Sequence, residues 1–243
     1  MSIKFISELR DFFCFIRNPG SVVFKDIDLL CSESNFIKSF SISNLMRWAC
    51  LLWFLNIFIL GPTACSVANI IGAKHKIESN IPLFSAIIWA PIIEEMLFRY
   101  WMLSSINFIW IAPFFIFILL TGPSFFYSII IVCTIANMFF NKYFFRSCRY
   151  QVISNYNCFP VLFHISNIIF ASLHIYNFVF YDFNNWYLAP LLVLPQWCTG
   201  LVLGWVRLTK GIIPSILLHS IFNAAPAIIM WFFLRNQTAT FVI

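Results

Sequence analysis

Two adjacent carboxylates and one guanidinium lie inside an apolar segment of this sequence. Glu94, Glu95 and Arg99 fall within residues 81–103, which are otherwise almost entirely apolar. A charged side chain at the centre of a membrane-spanning helix costs roughly 2.5–3.5 kcal/mol, and such residues are typical of functional sites. The chemistry these groups offer is general-base catalysis by a carboxylate and electrostatic stabilisation by a cation.

Helical geometry separates the two glutamates. Glu95 and Arg99 are four residues apart, which places them on one helix face as an ion pair. Glu94 lies about 140° from Arg99 around the axis, so its carboxylate is available to face a reaction centre. The alternative is a purely structural Glu–Arg pair, which would leave Glu94 unexplained.

A second candidate is His174, with Phe170 one turn earlier on the same helix face. A single histidine in a helix is more often structural than catalytic. The same segment also contains His164, with Asn167 one turn later. His164 and His174 are about 80° apart around the axis, so we expect only one of them to face a common centre.

The third candidate is the pair His219 and Asn223, again four residues apart. Two such donors on one face suit the stabilisation of an oxyanion, and His219 also has the chemistry of a metal ligand. The structural alternative is a polar contact between helices, which contributes about 1 kcal/mol or less. The acid, the histidine and the His/Asn pair on three separate segments are more informative together than singly.

These segments belong to a membrane protein. The 243 residues are 61% hydrophobic, 20% aromatic and only 10% charged, whereas soluble domains are nearer a quarter charged. The net charge of +6 is explained by basic residues between apolar segments, where they meet lipid headgroups, so no nucleic-acid partner is predicted. The eight cysteines form no C-x-x-C pair, which argues against a disulfide framework or a cysteine metal site.

The predicted fold is an all-α polytopic bundle of about seven transmembrane helices, within a range of six to eight. The predicted spans are 47–72, with a break near Gly61-Pro62, then 81–103, 106–121, 124–141, 159–180, 187–208 and 212–234. Residues 47–235 form the bundle. Residues 1–46 precede it as an amphipathic helix over 3–17, either interfacial or docked on the bundle, and a connector over 21–46.

Loop charge predicts a cytoplasmic N-terminus in the cell membrane. With the N-terminus inside, the outside segments contain only Lys74, Lys76 and Arg235. The basic residues of the inside segments are Lys4, Arg10, Arg17, Lys25, Lys38, Arg47, Lys142, Arg146, Arg149, Arg207 and Lys210. The first twenty residues contain several charges and do not resemble a cleavable signal.

The motifs E-E-x-x-x-R at 94–99, F-x-x-x-H at 170–174 and H-x-x-x-N at 219–223 occur in this order. Together they resemble the three signatures of the CPBP family, the CAAX-protease and bacteriocin-processing (Abi) intramembrane glutamic endopeptidases. Gly204, Arg207, Gly211 and Leu218 resemble the family's approach to its third motif. The resemblance covers about residues 80–225.

The resemblance implies a role for each motif residue. Glu94 and His174 would activate the water that attacks a peptide carbonyl, and His219 and Asn223 would stabilise the oxyanion. The supporting residues would be Glu95, Arg99 and Phe170. Two features depart from the family pattern: Tyr100 follows Arg99 where glycine is usual, and Glu94 and His174 are 80 residues apart.

The resulting hypothesis is an integral-membrane endopeptidase that uses no cofactor and acts on a protein or peptide substrate, lipidated or membrane-associated. Zinc held by one Glu and two His is the minority alternative, although no H-E-x-x-H helix is present. A non-catalytic immunity or scaffold protein of the same family is the alternative outside enzymes. A transporter is disfavoured because the sequence has one acidic cluster and no inverted repeat.

Overall fold

A computed structural model describes residues 3–20, 41–76, 82–102, 105–140, 158–181 and 185–240. Most of the predicted connector over 21–46 and the predicted basic loop containing Lys142, Arg146 and Arg149 lie outside these residues. Residues 42–46, predicted as connector, are instead the start of a helix.

Helices account for nearly all of the described chain. They are α1 (Ile3–Arg17), α2 (Ile42–Leu55), α3 (Gly61–Ile70), α4 (Ala90–Phe98), α5 (Ser105–Thr121), α6 (Phe125–Phe140), α7 (Phe159–Leu173), α8 (Ala189–Leu192), α9 (Leu194–Lys210) and α10 (Ile212–Thr240). Two π turns cover Asn56–Leu60 and Ser85–Trp89, and 3-10 turns cover Tyr100–Met102, His174–Asn177 and Trp186–Leu188. The two strands are β1 (Ala73–His75) and β2 (Phe178–Phe180).

Several helices are long and apolar enough to cross a membrane. Among the described residues these are Ile42–Ile70, Phe159–Asn177 and Ile212–Arg235. Trp186–Leu192 and Leu194–Lys210 make a fourth if their 42° bend lies within one span. α5 and α6 contribute shorter apolar helices. The predicted all-α membrane bundle is therefore confirmed, and the number seven stays a prediction.

The predicted break near Gly61-Pro62 is wrong, because α2 and α3 form one continuous helix. The π turn Asn56–Leu60 lies directly before this point, and the Gly61 N–H bonds the Asn56 carbonyl five residues back. A π turn widens the helix locally, so it accommodates a proline that can neither donate nor fit the tighter α geometry. The apolar segment therefore continues through the proline.

The predicted span over 159–180 ends early. α7 continues as a 3-10 turn to Asn177, and β2 then pairs antiparallel with β1, with Val179 opposite Lys74. The Lys76 N–H also bonds the Asn177 carbonyl at 2.7 Å. The pairing joins segments far apart in sequence, and it holds the end of α7 against the end of α3.

Close packing between α7 and α9 depends on two glycines. A methyl group on Gly204 would lie 2.6 Å from Phe163 Cε2, and one on Gly200 would overlap Asn167 Oδ1. Small residues four apart allow membrane helices to approach closely. At the end of α9, Gly211 has a φ of 99°, which favours glycine and turns the chain into α10.

The amphipathic helix α1 is held against the bundle by one carboxylate. Glu8 accepts hydrogen bonds from Asn44 Nδ2 at 2.6 Å, Trp48 Nε1 at 3.2 Å and Lys210 Nζ at 3.2 Å. Its apolar face packs on α2 and α9 through Phe5 and Phe12, and on α7 through Phe15, which contacts Phe163. α1 therefore links the beginning of α2 to the end of α9.

We predict that Gly204→Val lowers the melting temperature in detergent by several degrees. The added carbons overlap the Phe163 ring, and overpacking of this kind costs about 1–3 kcal/mol. Ser172→Val, at an exposed position of α7, is the control and should change the melting temperature little. Equal melting temperatures for the two variants would contradict a close α7–α9 interface at Gly204.

Candidate active site

Glu95 and Arg99 form the predicted ion pair on α4. Arg99 Nη1 lies 3.0 Å from Glu95 Oε1, and both side chains are buried, at 2% and 0% exposure. The Arg99 guanidinium carbon lies 3.8 Å from the centroid of the Phe170 ring on α7, a cation–π contact. Charge pairing and stacking therefore hold α4 against α7 at this point.

Two side chains of α10 complete the surroundings of Glu95. Ser215 Oγ lies 2.5 Å from Oε2, and His219 Nδ1 lies 3.0 Å from Oε1. A carboxylate only accepts, so His219 carries a proton on Nδ1. Both carboxylate oxygens thus have partners from another helix, as a buried charge requires.

Glu94 is placed differently from its neighbour. Its side chain is 18% exposed, and its Oε2 lies 3.6 Å from His219 Nε2. That distance exceeds the usual hydrogen-bond length, and Oε2 has no hydrogen-bond partner among the described residues. His219 therefore lies between the two glutamates, bonded to Glu95 through Nδ1 and facing Glu94 with Nε2.

His174 lies at the end of α7, where the helix tightens into a 3-10 turn. Its Nδ1 lies 3.0 Å from the Phe170 carbonyl, so Nδ1 is protonated and Nε2 is the remaining nitrogen. The Phe170 ring lies between the two histidines, 5.1 Å from the His174 ring and 6.0 Å from the His219 ring. His174 makes no direct polar contact with Glu94, His219 or Asn223 in the described part of the chain.

His164 is farther along α7, and its ring packs edge-on against Phe163 at 5.2 Å. Phe163 belongs to the apolar cluster that contains Phe15, Trp48 and Trp205. His174 contacts Phe170, and Phe170 contacts both Arg99 and His219. Of the two histidines on this helix, His174 is the one joined to the Glu95 cluster.

Asn223 lies one turn after His219 on α10. Its Nδ2 donates to the carbonyl of Ala86 at 3.2 Å, within the π turn that precedes α4. One of the two amide hydrogens is therefore committed to the backbone, and the other is available for a ligand. This bond also holds α10 against the start of α4.

Three supporting residues, Ser215, Ser166 and Trp101, were not predicted from the sequence, and Arg207 was predicted without this contact. Ser215 bonds Glu95, and Arg207 Nε donates to the Arg99 carbonyl at 3.2 Å in a buried position. Ser166 and Trp101 both bond the Phe98 carbonyl, at 3.0 Å and 2.8 Å. Ser215 is four residues before His219, so a search along that helix face would have found it, whereas the other contacts have no local signal.

Tyr100, which stands where the family usually has glycine, is accommodated inside the bundle. Tyr100 is buried in the apolar cluster that includes Phe98 and Phe115. It begins the 3-10 turn Tyr100–Met102, which Arg99 separates from the end of α4. The bulky residue thus occupies the interior next to α5 and leaves the Glu95–Arg99 pair in place.

The cluster has the parts needed for hydrolysis. It combines one fully paired carboxylate, one carboxylate with remaining acceptor capacity, two histidines and an amide donor. No group of three or more His, Cys, Asp or Glu side chains within the described residues is arranged to hold a metal ion. The pairs Glu95–Arg99 and Glu94–His219 also balance their charges when His219 is protonated, which suits a poorly solvated site.

A comparison with protein families matches part of the chain to a protease family. Residues 123–225 match the profile of the Rce1-like family, type II CAAX prenyl endopeptidases. The match includes His174, His219 and Asn223, and the motif at 94–99 lies before it. It confirms the predicted resemblance to CAAX proteases and supports an intramembrane protease as the kind of protein. Neither the curated proteins nor the solved structures contain a significant match to the chain.

We predict that Arg99→Met strongly destabilises the protein. The change leaves the buried Glu95 carboxylate without its cation, and breaking a buried pair costs about 3–5 kcal/mol. Arg235→Met is the matched control, because Arg235 also stacks on an aromatic ring, that of Trp231, but is exposed.

Thermal unfolding in one detergent measures the effect. Combining Arg99→Met with Glu95→Gln should recover part of the lost stability, since no unpaired charge then remains on the pair. A double variant less stable than Arg99→Met alone would contradict the pairing.

Proposed function

We propose that the protein is an integral-membrane endopeptidase of the glutamic type, since residues 123–225 match the model of a CAAX protease family. The observation that carries the proposal is the position of His219, which bonds one carboxylate and faces the second. In the proposal, Glu94 serves as the base and later as the acid, and His219 and Asn223 supply donors for an oxyanion.

In the proposed reaction, Glu94 takes a proton from a water molecule, whose oxygen attacks the peptide carbonyl. The carbonyl oxygen becomes an oxyanion, stabilised by His219 Nε2–H and the second N–H of Asn223. Glu94 then returns the proton to the leaving amine, and the C–N bond breaks. The products are a carboxylic acid and an amine, and transfer of the acid's proton to the amine gives a carboxylate and an ammonium group.

His174 assists the water in this scheme. Its Nδ1–H is held by the Phe170 carbonyl, so Nε2 is the nitrogen that accepts a hydrogen bond from the water. His174 and Glu94 do not touch in the free protein, and we expect the substrate complex to shorten the separation. Catalytic contacts are often long before substrate binds.

Glu95, Arg99 and Phe170 are supporting residues. Glu95 orients His219 by accepting its Nδ1–H, and donation from Nε2 in the proposed reaction requires the imidazolium form. Arg99 neutralises Glu95, and the Phe170 ring separates the two histidines. These residues position the catalytic groups and make no contact with substrate in the proposal.

The proposed substrate is a membrane-bound peptide or protein with a prenylated CAAX-type C-terminus, the class named in the family description. A prenyl chain lies in the bilayer and brings the scissile bond to a site within the helices. The proposed location is the cell membrane with the N-terminus in the cytoplasm, and no cofactor is required.

We predict that Glu94→Gln reduces cleavage of a farnesylated CAAX peptide at least 1,000-fold, because the amide cannot accept the proton of water. Asp11→Asn, an exposed carboxylate of α1, is the control and should retain full activity. Full activity of Glu94→Gln would overturn the proposal.

Three measurements separate the alternatives. Equal cleavage of a non-prenylated peptide would support the endopeptidase activity and contradict the proposed preference for prenylated substrates. Loss of activity with a chelator, restored by zinc, would favour the metal-dependent version. A purified wild type that cleaves neither peptide, together with full complementation in cells by Glu94→Ala, would favour the non-catalytic reading.

We predict that His174→Ala lowers kcat about 100-fold or more, since one of the two groups acting on the water is lost. His164→Ala, on the same helix, should leave kcat within a few-fold of wild type because the His164 ring packs on Phe163, which belongs to the other apolar cluster. Steady-state cleavage of the farnesylated peptide gives both values. The reverse order of the two effects would show that His164 is the catalytic histidine.

A further inference from the structure

The helix that enters α4 contains a backbone carbonyl that its own helix cannot satisfy. At the end of the π turn Ser85–Trp89, the Ala90 N–H bonds the Ser85 carbonyl five residues back. A next bond with the same spacing would run from the N–H of residue 91 to the Ala86 carbonyl. Residue 91 is proline, which has no N–H, so that bond to Ala86 is never formed.

Asn223 supplies the missing donor. Its Nδ2 lies 3.2 Å from the Ala86 carbonyl oxygen, and this contact connects α10 to the π turn. A carbonyl only accepts, so the contact also fixes which end of the amide faces α4. A polar backbone group inside a membrane protein must find such a partner.

We infer that Pro91 is a positioning residue for Asn223. By removing one N–H, Pro91 keeps the Ala86 carbonyl open for the amide, and the bond holds Asn223 in a single orientation. The second amide hydrogen is then directed to the same place in every molecule. The catalytic consequence rests on the proposed function, whereas the coupling of Pro91, Ala86 and Asn223 does not.

The chain contains a matched comparison. Pro62 follows the π turn Asn56–Leu60 in the same way, and there too the preceding N–H, that of Gly61, bonds a carbonyl five residues back. The Asn223 amide bonds the π turn before Pro91, through the Ala86 carbonyl, and within the described residues it does not bond the π turn before Pro62. Pro62→Ala is therefore a control for restoring an N–H after a π turn away from the site.

The first test is a double-mutant cycle on thermal stability with Pro91→Ala, Asn223→Ala and the double variant. Asn223→Ala leaves the Ala86 carbonyl without a donor, and we expect the melting temperature to fall by about 2 °C or more. In the Pro91→Ala background the new N–H satisfies that carbonyl, so the fall should be at least halved. Equal falls in the two backgrounds would overturn the inference.

The second test measures kcat and KM on the farnesylated peptide. Pro91→Ala should lower kcat about 10-fold or more, with KM changed less than 3-fold, and Pro62→Ala should change neither. The double variant should be no slower than Asn223→Ala alone. Further slowing in the double variant would show that Pro91 acts independently of Asn223 and would overturn the inference.

The two tests also separate this inference from the function on which it rests. A stability cycle that shows coupling, with Asn223→Ala fully active, would retain the positioning of Asn223 and remove its catalytic role. No cleavage by wild type with the same coupling would remove the peptidase proposal alone.

Discussion

A carboxylate shielded from solvent must have its charge compensated by the protein, and Glu95 is such a group at 0% exposure. Its partners come from two helices, with Arg99 on α4 and Ser215 and His219 on α10. Removing any one of them leaves a buried charge or lone pair without a partner. The relative position of α4 and α10 is therefore set at this carboxylate, and the placement of every other site residue depends on it.

From Glu95 the constraint extends to the neighbouring helices. Arg99 stacks on Phe170 and its carbonyl accepts from Arg207, so α7 and α9 are tied to the same point. The glycines of α9 allow the close approach to α7 that this arrangement needs. Glu94 is left outside the network, partly exposed and 3.6 Å from His219. Its Oε2 therefore has no hydrogen-bond partner among the described residues, as the proposed general base requires.

The spacing of residues along the sequence predicted the features that lie within a single helix. The Glu95–Arg99 pair followed from a separation of four residues, and the helices around Phe170 and His219 from their apolar patterns. The position of His219 between the glutamates, the bond from Asn223 to Ala86 and the β1–β2 pairing join segments distant in sequence, so no local pattern contains them. The sequence left open whether α1 is interfacial or docked, because the bonds of Glu8 to Asn44 and Lys210 also join distant segments.

The central claim is that two adjacent glutamates have different tasks, Glu95 in holding the bundle together and Glu94 in chemistry. Thermal unfolding of Glu95→Gln and Glu94→Gln, side by side in one detergent, tests it most directly. Glu95→Gln leaves Arg99 buried without its anion, so its melting temperature should fall by at least about 5 °C. Glu94→Gln, whose carboxylate has no hydrogen-bond donor at Oε2 among the described residues, should stay within about 1 °C of wild type. A fall for Glu94→Gln as large as that for Glu95→Gln would contradict the account.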